Sequence, residues 1–113
     1  MEQITTIVHF EVPAMNAEQF FTYWRDHIRP AVSNQAGLID GVFHRVVDPQ
    51  APYQFINVAR WESADALAAG LRAASTDLPE MGAVLQELGV RVSQNNYSAA
   101  VSYNRAGGYA ASQ

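Results

Sequence analysis

The stretch YQFINVARW, residues 53–61, places Tyr53, Phe55, Asn57, Ala59 and Trp61 at alternate positions, so on a strand all five share one face. That face is apolar except for the carboxamide in its middle. A buried side-chain amide without partners costs roughly 1 to 3 kcal/mol, so Asn57 is either satisfied by the fold or kept for a ligand. The Trp61 indole on the same face carries an N–H that donates and never accepts. Two such donors beside an aromatic wall suit a carbonyl, phenolate or peroxide oxygen. The only side chains that titrate near neutral pH are His9, His27 and His44, which fall in three different segments. His44 is the candidate base, since an imidazole titrates near neutral pH. Tyr23, Trp24 and His27 belong to one helical stretch that can line a pocket from the side opposite Phe55 and Asn57.

The rest of the composition removes competing chemistries. All seven basic residues are Arg, so no lysine is present for a Schiff base, and the absence of Cys removes thiolate nucleophiles, disulfides and thiolate metal sites. The net charge of −4 argues against a nucleic-acid groove or an anionic membrane surface as partner. No HExxH, close histidine pair or glycine-rich dinucleotide fingerprint occurs, so neither a metal nor a nucleotide cofactor is expected. The N-terminus MEQITTIVHF lacks signal-peptide features, and no apolar run approaches the roughly 18 residues of a membrane span. A cytoplasmic location is the resulting expectation.

The elements that must position these residues follow from periodicity and punctuation. ITTIVHFEV has strand composition and stops at Pro13. Asn16, with Gln19 in a box-like arrangement, is expected to cap a helix carrying Phe20, Phe21, Trp24 and Ile28 at helical spacing. Pro30 predicts a kink or break, with a second piece running to Gln35. GLIDGVFHRVV and YQFINVARW read as an antiparallel hairpin around DPQAP. Ser63 caps the next helix, Gly89 ends a short one after it, and VRVSQNNYSAAVSY is a last strand.

The order β-α-β-β-α-β in about a hundred residues is the ferredoxin-like α+β pattern: a four-stranded antiparallel sheet with helices on one face. The chain has the size of one domain, here 1–104, followed by a flexible tail over 105–113. The helix-free face needs a cover. On it the alternation puts Gln54, Ile56, Val58 and Arg60 of one strand, and Leu38, Asp40, Val42, His44 and Val46 or their complement from its neighbour. A second copy of the chain is the expected cover, giving a homodimer.

NVARWESADAL resembles the strand-to-helix junction of the antibiotic biosynthesis monooxygenase family, whose members are small dimeric α+β barrels. The pair His44 and Asp48 is similar to a histidine and a following aspartate in the quinone-forming members. YWRDHIRPAVSNQAGL resembles the first helix of EthD-like proteins through Tyr23, Trp24, Arg25, Pro30, Gly37 and Leu38, although His27 stands one residue early. Haem-degrading relatives have a histidine in the second helical region, and no histidine follows His44 here.

Dioxygen has a triplet ground state, so its reaction with a closed-shell molecule needs a metal, a flavin or a substrate that gives up an electron itself. The resemblance implies the third route: cofactor-independent oxidation of an anthrone, quinol or polyketide-like aromatic to a quinone. Asn57 and Trp61 then hold the oxyanion and His44 takes the proton. Tyr23, Trp24, His27 and Phe55 contact the substrate. The alternative is a non-catalytic, EthD-like dimer that binds a small hydrophobic ligand. Leu67 favours that alternative, because family members often carry a tyrosine in this helix.

Overall fold

The computed structural model describes residues 2–106. Its sheet is built from β1 (Ile4–Glu11), β2 (Leu38–Arg45), β3 (Phe55–Trp61) and β4 (Arg91–Tyr97) in the order β2-β3-β1-β4, with every neighbouring pair antiparallel. Between β1 and β2 run α1 (Ala17–Tyr23), a π-helical turn (Trp24–Ile28) and α2 (Arg29–Ser33). Between β3 and β4 run α3 (Ala64–Asp77) and α4 (Met81–Glu87). This is the ferredoxin-like arrangement that the sequence pattern implies.

Register fixes which side chains share a face. Val8 pairs with Asn57, Thr6 with Ala59 and Ile4 with Trp61, while Phe43 and Gly41 of β2 lie opposite Asn57 and Ala59. A bulge between Leu38 and Asp40 places Leu38 opposite Trp61 and Asp40 opposite Arg60. One extra residue in a strand moves what precedes it to the other face. Leu38 therefore leaves the face of Asp40, Val42 and His44 and packs beside Ala59, Trp61 and Leu67.

The helix passes through Pro30 without the expected break. Proline has no N–H and clashes with the carbonyl four residues back, here that of Asp26. The turn just before it is wide: the Arg29 N–H donates to the carbonyl of Trp24, five residues earlier. The misfit is absorbed as a π turn and the helix continues. Asn16 does not cap α1; its Nδ2 donates to the Leu88 carbonyl at 2.9 Å and ties the start of the first helix to the end of α4. Ser63 does cap α3, accepting from the Ala66 N–H at 3.1 Å. Gly89, at φ 74°, closes α4 in the left-handed conformation.

The core is in two parts. Phe10, Val12, Phe20, Phe55 and Leu88 form one, and Ala59, Trp61 and Leu67 the other. Burying a large apolar side chain of this kind stabilises by roughly 1.5 to 3 kcal/mol. Beyond Tyr97 the chain has no regular structure as far as 106, so β4 is shorter than the sequence suggests. Most of the tail expected over 105–113 lies outside the described residues. Among the described residues no helix is long and apolar enough to cross a membrane.

Candidate functional site

Between the two parts of the core lies a cavity of about 240 Å³. Its floor is the helix-side face of the sheet: Thr6, Val8 and Phe10 of β1, Asn57, Ala59 and Trp61 of β3, and Val92 and Gln94 of β4. Trp24, Ile28 and Val32 close one wall, and Leu71, Ala74, Leu78 and Met81 close the other. Val92 is 50% exposed, so the hollow opens to solvent beside β4.

The first wall depends on the π turn. On an α-helix, residues four apart drift by about 40° per step, so a 24, 28, 32 series would slide off one face. The wider turn takes up part of that drift, and all three side chains line the cavity. Trp24 is also held by its stack on Phe43, with ring centroids 3.9 Å apart and planes 20° from parallel.

The polar groups of the cavity differ in how they are satisfied. Thr6 donates to Asn96 Oδ1 at 2.7 Å and accepts from Gln94 Nε2 at 2.9 Å, a closed network along β4. Trp61 is 1% exposed, and its Nε1 is a buried donor with no partner among the described residues. Asn57 is half-buried, and among the described residues its carboxamide makes no hydrogen bond. Most buried polar groups in folded proteins are paired, so the orphaned Trp61 N–H is unusual, whereas the half-buried Asn57 carboxamide remains within reach of water. No ionisable side chain of the described residues lines the cavity.

The remaining expected site residues are not brought together with these. His44 pairs with Ile56 and is exposed on the opposite face of the sheet, because strand alternation separates it from Asn57. It is not a base for anything bound in this cavity. Phe55 is 1% exposed and packs against Phe20, Phe21 and Phe43, so it belongs to the core and not to the cavity surface. Tyr23 and His27 stack on each other at 4.9 Å and line a surface groove on the outer side of the helices. The Tyr23 hydroxyl donates to Glu80 Oε2 at 3.2 Å, and its pKa is raised, first by burial and then by the neighbouring Glu80 charge. Of the helical candidates, Trp24 alone reaches the cavity.

Two kinds of contributor were not singled out from the sequence. Thr6 and Gln94 are strand residues whose inward direction is set by pairing with Ala59 and Val8. Gly70 is the second kind: the Trp61 ring occupies the space its side chain would fill. A lone glycine in an alanine-rich helix was the available signal.

The fold defines a ferredoxin-like α+β protein with an apolar cavity between sheet and helices, and Asn57 and Trp61 lie on the floor of that cavity. The family model for antibiotic biosynthesis monooxygenase matches residues 3–75. The chain belongs to that family, which supports a monooxygenase-type role. Among solved structures it is similar to a candidate monooxygenase from Shewanella loihica, with 28% identity, 89% of this chain and 97% of that one covered, and a TM-score of 0.74. It shares its fold with SnoaB, a cofactor-independent oxygenase from Streptomyces nogalater, at 21% identity, 93% and 100% coverage and a TM-score of 0.70. It also shares it with an EthD family protein from Bacillus halodurans, at 13% identity, 82% and 96% coverage and a TM-score of 0.62. No curated protein matches the chain.

Proposed function

We propose that this protein is a cofactor-independent monooxygenase that oxidises a small aromatic substrate, of the anthrone or quinol type, to a quinone. The observation that carries the reading is the buried, unpartnered Trp61 Nε1 on the same cavity floor as the unbonded Asn57 carboxamide. Fixed donors in an apolar hollow stabilise a developing oxyanion because they need no reorganisation when charge appears.

The chemistry balances without a protein redox group. The substrate CH₂ loses a proton to solvent at the open side beside β4, and the resulting anion transfers one electron to dioxygen. The radical pair joins in a C–O bond and takes up a proton to form a hydroperoxide. Loss of water leaves the carbonyl. Conversion of CH₂ to C=O is a four-electron oxidation, matched by reduction of dioxygen to one carbonyl oxygen and one water. Asn57 holds the substrate oxygen, the Trp61 N–H faces the peroxide, and Trp24 provides an aromatic wall.

A homodimer formed through the helix-free face belongs to the same proposal. Val42 is 57% and Tyr97 45% exposed there, beside the ion pair in which Arg60 grips both oxygens of Asp40 at 2.9 and 2.7 Å. Sedimentation at rising concentration tests it.

The activity is tested by oxygen uptake with anthrone in the presence of a chelator, comparing wild type, Asn57→Ala and Trp61→Phe. A rate above the uncatalysed one that falls in both variants supports the reading. Equal rates in all three leave the cavity as a binding site only.

A further inference from the structure

A second hollow of about 210 Å³ adjoins the first across Trp24, Val32, Asn57 and Ala59, which line both. Its other walls are Arg29 and Ser33 of α2 and Leu38, Gly41 and Phe43 of β2. The space exists because two facing positions are small: Gly41 pairs with Ala59, and a Cβ at 41 would lie 3.3 Å from that of Ala59. Small-molecule sites commonly measure roughly 300 to 1,000 Å³, and the first hollow falls below that range.

The two hollows differ in charge. The first has no ionisable lining among the described residues, whereas the second has the Arg29 guanidinium at its exposed rim. Arg29 is not engaged by an acid: its Nε donates to the Arg25 carbonyl at 3.0 Å, and among the described residues it forms no salt bridge. The nearest carboxylate in sequence, Asp26, is held in a two-point contact by Arg25 at 2.8 and 3.2 Å. The remaining guanidinium donors suit a carboxylate, which they can hold at two points.

We infer that the two hollows are one site in two parts, and that its substrate is an aromatic ring system bearing an acidic side group. The ring lies on the Trp61 side, Asn57 stands at the junction, and the carboxylate meets Arg29. This deepens the proposed function by naming the substrate class, and it is tested through binding so that it can fail separately from oxygenase activity.

The probes are anthraquinone-2-carboxylate and its neutral partner 2-hydroxymethylanthraquinone, neither of which consumes oxygen. Both tryptophans of the chain line the first hollow, so quenching of their fluorescence reads the dissociation constant. Wild type is expected to bind the acid roughly fivefold more tightly than the neutral compound, the size suited to an exposed charge pair. That preference vanishes in Arg29→Gln, returns in part in Arg29→Lys, and shrinks with added salt. Gly41→Val, which fills the second hollow, weakens the acid more than the neutral compound. Equal affinities in wild type, or a preference that survives Arg29→Gln, overturn the inference. Oxygen uptake with no acid preference removes this inference alone, and an acid preference without oxygen uptake removes only the oxygenase reading. Failure of both probes to bind overturns this inference and leaves the oxygenase reading to the oxygen-uptake test.

Discussion

The indole of Trp61 occupies the place that a side chain at residue 70 would take: a Cβ on Gly70 would overlap its Cζ3 and lie 2.6 Å from its Cη2. β3 and α3 approach this closely only because residue 70 is glycine, and the ring is thereby fixed with its N–H toward the interior. Gly70→Ala is expected to destabilise the protein. Overpacking of about 1 to 3 kcal/mol exceeds the gain of up to about 1 kcal/mol in helix propensity. Urea denaturation followed by tryptophan emission checks it, and a higher midpoint than wild type would contradict the packing described.

Asn57→Ala is expected to lower kcat for anthrone oxidation by about 100-fold, the usual loss for one oxyanion donor. Circular dichroism should show the fold unchanged, because the carboxamide holds nothing else among the described residues. A variant with full activity would mean that the amide does not face the reacting oxygen.

Phe55→Ala should act on stability. At 1% exposure in the aromatic cluster, its truncation costs about 3 to 5 kcal/mol. His44→Ala, on the far face of the sheet, should leave kcat/KM within about twofold of wild type. A hundredfold loss on His44→Ala would return that histidine to the mechanism.

The pH dependence of kcat/KM reports the titrating groups of free enzyme and free substrate. With no ionisable side chain of the described residues on the cavity, the rising limb should follow the acidity of the substrate. A series of anthrones of graded acidity tests this: midpoints should move with the compound, and one midpoint common to all would point to a protein group.

Tyr23 gives a second, structural pH effect. Its raised pKa favours the neutral phenol in the folded state, so the stability it contributes is fully present below pH 10.0 and is lost as pH rises above that value. Tyr23→Phe should lose less stability than wild type between neutral and strongly alkaline pH, measured by denaturant midpoints. Identical losses would show that the phenol does not titrate with folding.

The order of elements and the inward set of β3 were legible in the sequence because both rest on local rules. Period-two alternation places Asn57 and Trp61 on one face whatever surrounds them. Proline, glycine and serine mark most boundaries for steric reasons that do not depend on distant contacts. Where packing competes with those rules, local reading fails: the bulge after Leu38 reverses a face, Asn16 finds Leu88 instead of its own helix, and Pro30 is accommodated by a wide turn. His44 reaches the far side of the sheet from Asn57, whereas Phe55 is on the near side but is taken up by the aromatic core, which a residue type alone does not reveal.

The sequence by itself determined the scaffold and the two donors, because both follow from spacing along one chain. Only the tertiary structure decided that Asn57 and Trp61 line a hollow, that Trp24 closes it while Tyr23 and His27 do not, and that Arg29 stands at its neighbour. Cavities are spaces left between elements, and their shape depends on how closely helix and sheet approach, a distance set at positions such as Gly70 and Gly41 by contacts remote in sequence.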